Sequence, residues 1–323
     1  MASLARRNRL ATGAFVAGFL LATHALWPDP QARVERQYLF VITLGYGHLI
    51  GAAVFSRQRL ARLMPAGVSS RLFELFVVAS VLDLFALYAW LSNVSLAFFL
   101  PLLAVSLWHI VENDLALGRA YGERLALDGL PRSPDHHLAA FGMTALLLAF
   151  GQSMLALASY APEPAGLPLV AMGNLTARIA GAACGVALVA RRQRRLGLAL
   201  AAASVVLPAG LSRFPGFGFG DFFSSVTLYH LVQFLVFFAD RACTLRQHAA
   251  RRRLWRRIAW VHLSPALLCA ALLLPPGDHF GALRYAIFSP QIYLFWSVLH
   301  VAQTIAARGI ERRAAPAPQA VRA

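Results

Sequence analysis

The chain contains no lysine, and acids are scarce: 14 Asp and Glu stand against 30 basic residues, all of them Arg. Charged residues fill 14% of the 323 positions, where about 25% is usual for soluble domains. That is too little polar surface to cover a water-soluble fold of this length, which argues against a soluble globular enzyme. Cysteines at 184, 243 and 269 are too few and too scattered for a disulfide framework or a zinc ribbon. There is no His-Glu-x-x-His, no Gly-x-Ser-x-Gly and no Walker sequence, which argues against zincin proteases, serine hydrolases and P-loop ATPases. What the chain has in excess is apolar: 59% hydrophobic residues, in long runs parted by short Arg-bearing segments. The expected fold class is therefore all-α, a polytopic integral membrane bundle.

A helical span needs roughly 20 apolar residues to cross a hydrocarbon layer about 30 Å thick. Ten runs qualify, at 10–27, 37–55, 72–91, 95–117, 138–160, 169–190, 196–212, 222–239, 258–275 and 285–306. With the N-terminus inside, 25 arginines fall on the cytoplasmic side and four outside (Arg33, Arg36, Arg213 and Arg284); Arg178 lies within a span. The acids divide evenly, five on each side and four within spans, as expected if only basic residues set topology. The net charge of +16 thus reads as a membrane-surface signature, with no nucleic-acid partner implied. The expected organisation is a cytoplasmic segment 1–9, one transmembrane domain 10–306 and a disordered cytoplasmic tail 307–323. The location this implies is a bacterial-type inner membrane, both termini cytoplasmic. Arg6-Arg7-Asn8-Arg9 before an apolar run also fits a secretory or twin-arginine signal, but no small-x-small cleavage site follows, which favours a retained first helix.

Ionisable groups inside spans are costly, so each one is a functional candidate. His48, His109, His230 and His300 fall within the second, fourth, eighth and tenth runs, which all point the same way across the membrane. Each lies 8 to 11 residues before the first cytoplasmic Arg, a depth of about 12–16 Å at 1.5 Å per residue. Four imidazoles in one layer suggest a shared metal site. Three of them repeat a local form: His109-Ile-Val-Glu112, His230-Leu-Val-Gln233 and His300-Val-Ala-Gln303. Residues three apart share a helix face, so Glu112, Gln233 and Gln303 are placed to hold a ligand's second nitrogen or assist the chemistry. Aromatics on the same faces, such as Tyr293 and Trp296 before His300, suit an apolar ligand leading up to a polar centre.

Plainer readings stand beside each of these. An intramembrane histidine often only packs and hydrogen-bonds, and Gly47-x-x-x-Gly51 marks a close helix contact that His48 would merely border. Arg178 is expected to pair with Glu112 or Asp114. Glu74 and Asp83, nine apart, do not share a face. The glycine-rich stretch from Phe214 to Gly220 follows no strand and reads as an external surface or re-entrant loop. Asp135-His136-His137 and Asp278-His279 read as solvated loop residues.

The order of the histidine segments resembles the bacterial Brp/Blh family, membrane β-carotene 15,15′-dioxygenases. Gly47-His48 looks like its first segment and Trp108-His109 with Asp114 like its second. Tyr229-His230 and Leu299-His300 stand in places similar to the third and fourth, with gaps of 61, 121 and 70 residues. The resemblance implies that His48, His109 and His230 are iron ligands and that the reaction is O₂-dependent cleavage of a polyene double bond. Two departures are plain: Phe234 stands where the family's third segment has a second histidine, and no Gly-Ala-x-Asp follows His48. His300 would then complete a four-histidine set.

The expected function is a metal-dependent oxygenase of the non-haem iron (Fe2+) type. Its partners would be O₂, a carotenoid-like or other lipophilic substrate and the lipid bilayer. Imidazoles suit iron, copper and zinc alike, so the metal follows from the resemblance alone. Two alternatives use the same residues: a haem b electron-transfer protein with paired axial histidines, and a transporter or proton relay built on the intramembrane acids and histidines.

Overall fold

The computed structural model describes residues 2–63, 79, 96–120, 134–157, 167–210, 216–273, 281–288, 293 and 296–304. Among them the regular structure is entirely helical. The helices are α1 (Ala2–Leu26), α2 (Pro30–Leu63), α3 (Leu96–Ala120), α4 (Pro134–Leu157), α5 (Leu167–Ala190), α6 (Arg194–Gly210), α7 (Phe219–Thr244), α8 (His248–Leu273) and α9 (Gly281–Phe288). Residues 296–304 are helical as well. Among the described residues, four stretches are long and apolar enough to cross a membrane: Leu4–Leu26, Asp135–Met154, Val170–Ala190 and Phe219–Thr244. The expected third run, 72–91, lies outside the described residues apart from Ala79. The loop expected over 118–137 ends earlier than its length suggested, because α4 begins at Pro134.

Local chemistry explains the helix ends. Asp29 caps α2: its Oδ1 accepts the amide of Ala32 at 2.8 Å, and Pro30 occupies the first helical position, where no N–H is needed. α5 stops in a Schellman turn, with Gln193 N donating to Leu188 O and Arg192 N to Val189 O, both at 2.9 Å. Arg192 takes the left-handed position there, at φ 66°. α7 starts with Asp221 Oδ2 accepting the amide of Gly218 at 3.0 Å, one half of a capping box.

The chain forms two compact units, residues 1–41 with 92–240 and residues 42–91 with 241–323. In the first unit α3, α4 and α7 meet over Leu103, Leu107, Met154 and Phe222, and α4, α5 and α6 meet over Ala139, Cys184, Leu188 and Leu200. Small residues let α5 and α6 approach until backbones touch. A methyl group added at Gly185 would lie 2.7 Å from Gly197 O and Ala201 N. Asp221, fully buried in this unit, accepts from Arg33 Nε at 3.2 Å and Gln37 Nε2 at 2.8 Å, tying α2 to α7. Arg33 also donates to Gly216 O, which ties the end of the glycine-rich stretch to α2.

In the second unit the C-terminal part of α2 crosses α8 at Gly47 and Gly51. Added methyl groups there would meet His262 and Val261. The Gly-x-x-x-Gly spacing thus does mark a close helix contact. Pro265 lies within α8 and has no amide for Val261 O to accept, so one helical hydrogen bond is missing beside this crossing.

Candidate functional site

All four sequence-predicted histidines are buried, at 5–9% of their full exposure. Each unit holds two of them. In the second unit His48 of α2 faces His300, with their Nε2 atoms 3.3 Å apart and their rings edge-to-face at 77°. In the first unit His109 of α3 and His230 of α7 lie with ring centroids 5.4 Å apart. Phe234, one turn after His230, sets its ring edge-on against that imidazole at 5.1 Å.

His300 of this pair borders a chamber of about 450 Å³, within the roughly 300–1,000 Å³ range of small-molecule sites. Its walls include Leu49, Pro265, Leu268, Cys269, Trp296 and His300. Its polar lining comes from Tyr46, Ser264, His300 and Gln303. Tyr46 is fixed by donating to Ile287 O at 2.7 Å and by an edge contact with Tyr293. Leu268 and Trp296 line the chamber and are also exposed, so the space can be reached from the surface of this unit. Gln303 lies three residues after His300 on the same helical stretch and on the same chamber wall.

The other two polar neighbours serve the first unit. Glu112 Oε1 lies 3.4 Å from His136 Nε2, and both side chains are nearly inaccessible. His136, read from the sequence as a solvated loop residue, is instead buried in the first turn of α4. Pro134 was the signal for this, since proline favours the first helical position. His137 beside it is exposed, as expected. Nε2 of His109 lies 2.8 Å from the amide nitrogen of Asn113, so the polar neighbour seen on that atom sits four residues on. The amide nitrogen of Gln233 donates to Asp114 and to Tyr229 OH, while its buried Oε1 has no hydrogen-bond partner among the described residues.

Asp114 gathers α1, α3 and α7. It accepts from Arg9 Nε at 3.3 Å and from Gln233, while Asn8 donates to Gln233 O at 3.2 Å. The first helix is thus joined to the unit by buried polar contacts. The expected pairing of Arg178 with Glu112 or Asp114 does not form. Arg178 is half-buried and donates to Val205 O at 2.9 Å, a carbonyl within reach on the adjacent α6.

No family model matches the chain, and neither does any curated protein or solved structure. The functional reading therefore rests on residues and geometry.

Chemically, two neutral imidazoles can share a proton between their Nε2 atoms or turn both lone pairs toward one cation. With metal–nitrogen distances of about 2.0–2.1 Å, nitrogens 3.3 Å apart subtend about 105–110° at a metal, close to tetrahedral. Axial ligands on opposite faces of a haem would instead hold their nitrogens about 4 Å apart with a porphyrin between them. The donor set suits a compact ion.

Proposed function

We propose that this chain is an integral membrane, metal-dependent oxygenase of the non-haem iron type, acting on a carotenoid-like or other lipophilic substrate. The observation that carries the reading is the approach of His48 to 3.3 Å from His300, a residue in the wall of an apolar chamber. Imidazole pairs with open positions beside them suit O₂ chemistry, and the chamber suits a substrate that arrives from the bilayer. The ten-span arrangement with both termini cytoplasmic belongs to the same proposal and puts these histidines near mid-membrane.

When bound, the metal would supply a place for O₂ to bind and be activated. The chain's own residues would do the rest. The walls exclude water and hold the substrate, and Tyr46, locked onto Ile287 O, keeps the α2 side of the chamber rigid. Cleavage of a carbon–carbon double bond by O₂ gives two carbonyl groups that contain both oxygen atoms, so no external reductant is required.

The test is expression in a bacterial host that accumulates β-carotene. The cells should bleach and yield retinal or a shorter apocarotenal, while cells carrying His109→Ala or His300→Ala stay orange. Orange cells with membrane-inserted, metal-loaded wild-type protein would rule out carotenoid cleavage, and a Soret band in the purified protein would favour the haem alternative. A proton relay is the second reading, favoured by the buried Glu112–His136 pair.

A further inference from the structure

The chamber in the second unit is mostly hydrocarbon-lined, yet it holds an amide that makes no hydrogen bond to any described residue. Gln303 lines the wall with donor and acceptor both available. Ser264, also in the lining, donates its hydroxyl proton to Trp260 O at 2.6 Å and keeps its lone pairs open. A pure hydrocarbon filling this space would strip water from both groups and return nothing, a cost that a hydrogen-bonding ligand avoids. Among the described lining residues there is no Asp, Glu or Arg to pair with an ionic head group. The aromatic and aliphatic walls at Trp296, Leu49 and Leu268 suit a chain or ring system.

From this we infer that the chamber takes a lipid-soluble molecule with one neutral polar end, an alcohol or aldehyde, with that end hydrogen-bonded to Gln303. Residues 300 and 303 share a helix face and are separated by about 4.5 Å along the axis. The polar end therefore sits one turn from His300, and the apolar body extends from there along the wall. This deepens the oxygenase reading and rests on it for the chamber being the substrate site. Among lipophiles it favours a single-headed one by the margin of one hydrogen bond, so a pure hydrocarbon such as β-carotene is a weaker ligand of the same chamber.

The experiment is equilibrium binding of tritiated geranylgeraniol, a C20 alcohol, to the full chain in nanodiscs under argon and after chelation. It is read as label displaced either by unlabelled alcohol or by the C20 hydrocarbon that lacks only the hydroxyl. Wild-type protein should be displaced by the alcohol at about three- to tenfold lower concentration than by the hydrocarbon, the fold expected of one net hydrogen bond. Gln303→Leu should weaken the alcohol by a similar factor and leave the hydrocarbon as good a competitor or better. Leu49→Trp, which fills the chamber, should remove displaceable binding of both and so locate the site. Because Gln303 makes no hydrogen bond to described residues, its leucine variant should elute and melt like the wild type.

Equal displacement by alcohol and hydrocarbon, or an unchanged alcohol affinity in Gln303→Leu, would overturn the inference. Binding is read without metal or O₂. Head-group selectivity in a protein that never retains metal would therefore sink the oxygenase reading and leave this one standing.

Discussion

Glu112 on α3 and His136 on α4 approach to 3.4 Å with side-chain exposures of only 10% and 6%. A carboxyl group in such a place keeps its stability through the partners that surround it, since burial without them costs about 1–3 kcal/mol or more for a charged group. His136→Ala should accordingly lower the melting temperature of the detergent-purified protein, by a loss of about 1–3 kcal/mol. Adding Glu112→Gln should recover part of that loss, because removing the charge removes the need for its partner. Equal melting of His136→Ala and wild type would show that the contact contributes nothing.

The Arg33–Asp221 ion pair is buried more deeply, with side-chain exposures of 4% and 1%. Removing one partner of a buried pair leaves an uncompensated charge and typically costs about 3–5 kcal/mol. Asp221→Ala should therefore be poorly recovered from membranes or melt far below wild type. Arg33→Met combined with Asp221→Leu should do better than either single change. A double variant worse than both singles would contradict this account of the pair.

Two glycine substitutions separate packing from backbone propensity. Gly185→Ala places a methyl group against the backbone of α6, where overpacking costs about 1–3 kcal/mol. Gly13→Ala in α1 meets nothing within 4 Å and removes a weak helix former, a gain of up to about 1 kcal/mol. Thermal melts should move in opposite directions. Movement in the same direction would mean that the α5–α6 approach is not what limits stability.

Apolar run length made the helices legible, and four of the described ones are long and apolar enough to cross a membrane. Helix length was less legible. α2 continues to Leu63, past the run ending at 55, since nothing in Arg57–Arg62 breaks a helix once the apolar part has ended. The burial of the four histidines was readable from their placement inside apolar runs, where an exposed imidazole is costly. Their pairing was not: His48 and His300 are 252 residues apart, and sequence gives no rule for which helices become neighbours. The same limit explains Arg178, whose charge suggested an acid while its position offered a carbonyl on α6. His136 was missed for a different reason, because apolar periodicity starts two residues after it and drew attention away from Pro134.

Topology can be checked apart from all side-chain contacts. Reporter fusions after Pro162 and Pro276 should read as external, and those after Arg195 and Arg253 as cytoplasmic. A cytoplasmic signal at Pro162 would contradict the ten-span proposal and the depth argument built on it.

The most direct measurement is the metal content of the purified protein, by elemental analysis with an absorption spectrum alongside. The account expects bound iron without a Soret band in the wild type. It expects most of that metal lost in His48→Ala and in His300→Ala, and retained in His137→Ala and His248→Ala, with all four variants eluting as the wild type does. Full metal occupancy in both His48→Ala and His300→Ala would make these two imidazoles packing residues and contradict the central claim.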